Sequence, residues 1–162
     1  MKKIIVFLFI VSLVYLVSNK EDVMIPNDSI RFRIIANSNS IEDQALKNKI
    51  KNDLINNIIP NIKSKNDINS NIPLIRNEID KYNINYNINY GKNYFPEKTY
   101  KGITYPSGNY QSLVITIDEG LGDNFWCVLY PPLCLVEENE GSNEIEYKSI
   151  IKEILNNHNN NV

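Results

Sequence analysis

Cys127 and Cys134 are the residues of this chain best placed to react with one another. They flank Tyr130-Pro131-Pro132 in the apolar run from Asn124 to Cys134, which also holds the only tryptophan, Trp126. Two thiols so spaced can close a disulfide or lie reduced and buried on a continuing strand. Seven steps of extended chain at ~3.3 Å each would hold the Cα atoms ~23 Å apart, far beyond the ~7 Å limit for a bridge. A bridge therefore requires the chain to reverse at Pro131-Pro132. Pro-Pro removes two N–H donors and breaks a strand, yet it prefers an extended polyproline path, so both forms stay open. If closed, the loop of about eight residues is worth ~2.5 kcal/mol on the chain-entropy model.

The remaining chemistry is thin, and no catalytic residue is expected. His158 is the only histidine and stands in the Asn-rich stretch Asn156–Asn161. This excludes Ser-His and Cys-His nucleophilic pairs and leaves too few soft ligands for a structural zinc site. No glycine-rich loop follows the phosphate-binding pattern, so neither cofactor nor metal is expected. The acidic pairs Asp118-Glu119 and Glu137-Glu138 are of the type a glycosidase uses, but solvated surface is their plain reading. A net charge of -2 and a pI near 5.5 give no electrostatic case for nucleic acid.

The compartment is read from Met1-Lys2-Lys3 and the apolar run Ile4–Val17, a positive n-region followed by an export h-region. The run is shorter than the ~20 residues of a usual spanning helix, which favours a cleavable signal peptide; the rival is an uncleaved membrane anchor. Either reading places Asn19 onward outside the cytoplasm, where disulfides persist. The expected organisation is a signal peptide or anchor over 1–18, a single domain over 28–158 and a disordered tail over 159–162. The abundant Asn, Ile and Lys fit an A+T-rich genome better than a prion-like tract, because Asn alternates with Ile and Tyr at structural periods.

Those periods define the elements. Ile30–Ala36 alternates and then turns apolar, a buried strand. Ser40 and Asp43 form a capping box ahead of Leu46, Ile50, Leu54, Ile58 and Ile62, the stripe of an amphipathic helix that Pro60 should end or kink. A second helix is expected from about Asn71, with Pro73 in its first turn. Ile84, Tyr86, Ile88 and Tyr90 alternate with Asn, a half-buried strand that Gly91 is expected to end. Pro96 argues for an edge or bulge near Tyr94-Phe95. Strands over Tyr110–Ile117 and Phe125–Tyr130 follow, and Asn143 with Glu146 caps a last helix through Ile151 and Leu155. The order β-α-α-β-β-β-α predicts an α+β fold: one mostly antiparallel sheet with helices packed on one face.

On these residues the sequence resembles the stage II sporulation protein R family of endospore-forming bacteria. The matching blocks are Ile34-Ile35-Ala36-Asn37-Ser38 with Glu42–Lys47, then Asn93–Pro96, Lys98-Thr99-Tyr100, and Pro106 with Gly108 and Tyr110. The last block runs from Glu119-Gly120 through Asn124, Trp126-Cys127, Pro131-Pro132 and Cys134. The family usually carries histidine at Arg33, aspartate at Asn39, proline at Ile41 and glycine at Asp118. Absence of that histidine argues against its being catalytic.

The resemblance implies a signal rather than an enzyme. Such a protein would be made in the forespore and exported into the space between the two sporulation membranes. There it would trigger a membrane-embedded aspartic protease of the mother cell, which activates pro-sigma-E. Aromatic residues grouped on loops suit an interface, and the candidate contact surface is Tyr94, Phe95, Pro96, Tyr100, Gly120, Gly122, Asn124 and Trp126. The plainer reading makes Phe95 and Trp126 core and the glycines turn formers. Two alternatives are an exported wall-modifying enzyme, which needs two acids converging with one pKa raised, and a structural protein of the septal space. The chain shows no internal repeat of the kind a structural array would carry.

Overall fold

The computed structural model describes Ile25 and residues 28–100, 103–131, 133–134 and 144–159. The expected leader over 1–18, the tail residues 160–162, the pair Glu137-Glu138 and the cap residue Asn143 lie outside the described residues. Ten elements follow in order. Strand β1 is Ile30–Ile35, helix α1 Ile41–Asn57, a 3-10 turn Ile59–Asn61 and helix α2 Asp67–Asp80. Then come β2 Tyr86–Phe95, β3 Lys98–Tyr100, β4 Ile103–Tyr105, β5 Gly108–Ile117, β6 Asn124–Tyr130 and helix α3 Glu144–Asn159.

The main sheet has the order β2-β5-β1-β6. Strand β5 pairs antiparallel with β2 and parallel with β1, and β1 pairs antiparallel with β6. The sheet is mostly antiparallel and the fold is α+β, as the element order predicts. The parallel β1–β5 pair is possible because the whole α1–β4 segment crosses over between them. Strands β3 and β4 form a separate two-stranded ribbon.

One face of the sheet is the main core. Ile30, Phe32 and Ile34 of β1, with Leu113, Ile115 and Ile117 of β5, meet Ile50, Leu54, Ile68, Ile75 and Ile79 from α1 and α2. Fully burying each such side chain is worth ~1.5–3 kcal/mol. The expected one-sided cover holds for α1 and α2 only. Ile151 and Leu155 of α3 pack with Val128 of β6 and Tyr105 of the ribbon, on the opposite face. Val128 and Trp126 alternate with Cys127 and Leu129 along β6, so the strand is apolar on both sides because both are covered.

Three local expectations are corrected. Helix α2 starts at Asp67, so Pro73 lies inside it. The start is anchored by the Asp67 carboxylate, which accepts from the N–H groups of Lys63 and Ser64 at 2.9 and 2.8 Å. Those bonds also hold its pKa below the usual carboxylate range. Strand β2 passes through Gly91, which pairs with Ser112, and ends only at Phe95 before Pro96. The capping box is half formed. Ser40 Oγ accepts from Asp43 N–H at 3.1 Å, while the Asp43 carboxylate turns to Ser38 Oγ and Asn37 Nδ2. Pro60 does end α1, falling in the 3-10 turn.

Candidate functional site

Beyond the end of β1 the chain keeps pairing. Leu121 N–H donates to Asn37 O, and Gly122 N–H to Ala36 O, each at 2.9 Å. The side chains seal the junction: Asn37 Oδ1 accepts from Glu119 N–H at 3.2 Å and Asn39 Oδ1 from Asp123 N–H at 2.6 Å. From α1, Gln44 Nε2 donates to Ser38 O at 2.9 Å, and the buried Lys47 ammonium donates to Asp123 O at 3.1 Å. Burial pushes the Lys47 pKa down, and Asp123 opposes that shift. The turn 119–123 thus closes one hydrogen-bonded hub with the distant end of β1 and the start of α1.

The glycines of this hub are structural. Gly120 has φ +64, and an added Cβ would meet Thr116 Cγ2 at 2.4 Å. At Gly122 a Cβ would stand 2.2 Å from Ser38 O. Asp118 also takes positive φ, +46, which a glycine adopts without strain; this is the position where the resemblance anticipates glycine. The side chains presented outward here are Leu121, 80% exposed, and Ile41, 85% exposed, at the first position of α1.

At the other end, the face opposite α1 and α2 carries an aromatic cluster around two arginines. Alternation puts Arg31 and Arg33 side by side with Val128 and Trp126 of β6. The Arg31 guanidinium lies 3.5 Å from the Tyr110 ring centroid, with Phe95 and Tyr105 at 5.5 and 6.0 Å. Arg33 sits 4.8 Å from the same Phe95 ring. Phe95 and Trp126 are 5.6 Å apart, Tyr105 packs on Trp126 at 6.3 Å, and Lys98 Nζ lies 4.7 Å over the indole. Pro106 O accepts from both Arg31 Nη2 and Tyr110 Oη, at 3.3 and 3.0 Å. Burial pushes the Arg31 pKa down, opposed by Tyr110 and Tyr105; a guanidinium nevertheless stays charged.

The eight candidate contact residues therefore divide. Phe95 is fully buried and Trp126 half-buried, so Phe95 is core; Tyr94 is 60% exposed beside the exposed Pro96. Tyr100 closes β3 of the ribbon. Gly120, Gly122 and Asn124 lie at the far end of the sheet, since Asn124 pairs with Ile35 and Tyr130 with Ile30. Along β5 the ends lie eight residues apart, from Gly108 opposite Phe95 to Thr116 beside Ile35, roughly 26 Å at ~3.3 Å per residue, with Trp126 between them opposite Arg33. Arg31 and Tyr105 carried no functional reading in the sequence, whereas Gln44 and Lys47 stood within the matching block Glu42–Lys47. The alternation Arg31-Phe32-Arg33 marked a strand buried on at least one face, and only the ribbon and α3 reveal that the face bearing the arginines is covered as well.

Cys127 and Cys134 are joined by a disulfide, with Cα atoms 5.2 Å apart. The chain reverses at Tyr130-Pro131, a cis peptide, and Leu133 N–H donates to Val128 O at 3.0 Å and to Pro131 O at 2.8 Å. Asp118 and Glu119 are exposed on the turn after β5. Among the described residues no group of three or more His, Cys, Asp or Glu could hold a metal ion, and no helix is long and apolar enough to cross a membrane.

Residues 26–140 match the family model for stage II sporulation protein R. The chain is also similar to stage II sporulation protein R of Bacillus subtilis (strain 168), 34% identical over 137 residues that cover 76% of this chain and 61% of the relative. This chain thus spans about three fifths of that relative's length. No solved structure matches.

Proposed function

The chain belongs to the stage II sporulation protein R family, and on that premise we propose that it is an exported sporulation signal. It is made in the forespore and passes into the space between the forespore and mother-cell membranes. There it activates a membrane-embedded aspartic protease that processes pro-sigma-E. It acts by contact and not as an enzyme. The observation that carries this reading is the family match over 26–140, which contains the whole main sheet and both residue clusters. The apolar run Ile4–Val17 behind Lys2 and Lys3 supports export, and the disulfide fits an oxidising compartment.

Two exposed groups are available for contact. One is Leu121 with Ile41 at the hub, and the other is Tyr94 with Pro96 at the end of β2. Large exposed apolar side chains of this kind anchor interfaces. The deciding experiment expresses this chain with its cognate protease and pro-sigma substrate in a host that does not sporulate. Processing that requires this chain, and requires its export, is the expected result. Processing without the chain, or with a form kept in the cytoplasm, overturns the reading.

A further inference from the structure

The Arg31 side chain is 1% exposed, yet its Nε and Nη1 have no hydrogen-bond partner, and neither has the buried Nε of Arg33. A buried cation left without an anion is costly, and the sheet supplies none. Along this face β1 contributes Arg31, Arg33 and Ile35, and β6 contributes Asn124, Trp126 and Val128. Strand β5 adds Gly108, Tyr110, Ser112, Val114 and Thr116, and β2 adds Asn87 to Phe95 at alternate positions. No carboxylate stands among them. The aromatic rings offset part of the cost through cation–π attraction. Tyr110 occupies a face of the Arg31 guanidinium, while the unpaired N–H groups point outward in its plane. A carboxylate oxygen is the acceptor such in-plane N–H groups take in a charge-assisted hydrogen bond.

We propose that Arg31 and Arg33 form a binding site for a carboxylate carried on an acidic polypeptide segment. Both guanidinium groups lie against the one Phe95 ring, at 5.5 and 4.8 Å from its centroid. Arg33 is only half-buried and provides the entry. Lys98, exposed over Trp126, adds positive charge at the rim. Tyr105 and Pro106, which lie against Arg31, belong to or follow the β3–β4 ribbon. That ribbon is not hydrogen-bonded into the main sheet; Tyr105 holds it in place by packing with Val128 and α3. The site does not depend on which protein carries the acid, nor on the signalling role.

Trp126 is the only tryptophan and pairs across the strands with Arg33, so its emission reports on this place. The test titrates the purified oxidised chain with acetyl-Asp-Glu-amide, with the uncharged acetyl-Asn-Gln-amide, and with inorganic phosphate, each against sodium chloride of equal ionic strength. The expected result is a saturable change with the acidic peptide alone, weakened at least tenfold in Arg33→Gln and in Arg31→Met. The Arg31→Met chain should melt no lower than the parent, since an unpaired buried charge is removed. Arg33→Gln, at a half-exposed position, keeps the test open if Arg31→Met does not fold. An acidic-peptide response no larger than that of salt, or one unchanged in Arg33→Gln, overturns the proposal. A response to phosphate but not to the peptide also overturns it.

Discussion

A Cβ placed on Gly122 would lie 2.2 Å from the carbonyl oxygen of Ser38 and 2.5 Å from its carbonyl carbon. The obstacle is backbone, and it is held in place by Gln44, which donates to that same oxygen. Glycine is required here by space and not by a positive φ. Gly122→Ala should therefore lower stability by about 1–3 kcal/mol, the usual cost of overpacking. Thermal unfolding followed by circular dichroism measures it, and an unchanged melting temperature would show that the two loops separate freely.

The contact surface is tested by variants that leave the fold intact. Leu121→Ser and Tyr94→Ala change exposed side chains, so each should alter stability by less than about 0.5 kcal/mol. At least one of them should lose pro-sigma processing in the co-expression assay. Trp126→Ala serves as the structural contrast. It removes the contacts to Phe95 and Tyr105 and should cost about 3 kcal/mol. If signalling is lost only in chains that are also unfolded, neither exposed group is a contact site.

Reduction of the Cys127–Cys134 disulfide opens a loop of sequence separation 7 and should lower stability by about 2.5 kcal/mol. Alkylation with mass measurement, with and without reductant, reports the state of the exported chain. Two thiols modified without reductant would contradict the bridge and leave the signalling proposal standing.

Tyr82 donates its hydroxyl proton to the Asp53 carboxylate across α1 and the end of α2. Partial burial, that hydrogen bond and the charge of Asp53 push its pKa up to about 12. A raised folded pKa means this contribution to stability is complete below pH ~10, the ordinary tyrosine value. It is lost as pH rises through about 12, because the phenolate can no longer donate and repels Asp53. Ultraviolet titration of the parent chain should show late tyrosine ionisation, with Tyr82 joined by Tyr86, whose pKa burial and Asp80 also raise. Asp53→Asn should bring the Tyr82 step down toward 10, and an unchanged titration would mean that Asp53 does not govern it.

Export is tested by exchanging residues 1–18 for an unrelated signal peptide. On the proposal that the apolar run serves as an address and not as a contact surface, processing should be restored in full. Activity in a leaderless form retained in the cytoplasm would remove export from the proposal.

Local pattern carried much of this molecule. Period-two alternation marked β2 and the start of β1, a continuous apolar run marked β6, and the four-residue spacing of Leu46, Ile50 and Leu54 marked α1, because side-chain direction follows backbone geometry residue by residue. Helix and strand order then set the α+β class. What local pattern could not carry was every relation between distant segments. Asp67 anchors the start of α2 by accepting from N–H groups that precede it, so Pro73 was mistaken for a first-turn residue. Strand β6 was readable as buried, but its two covers, α1 with α2 and then α3, were not, because continuous apolarity does not say what lies on each side. Spacing left the Cys127–Cys134 pair open, since only the reversal at Pro131 shortens ~23 Å of extended chain to 5.2 Å. Arg31 is the plainest case. Its place in an alternating strand left the cover of its own face undecided, and the tertiary structure lays it on Tyr110 beneath Pro106. Burial depends on every element above a residue, and those elements come from 70 or more positions further along the chain.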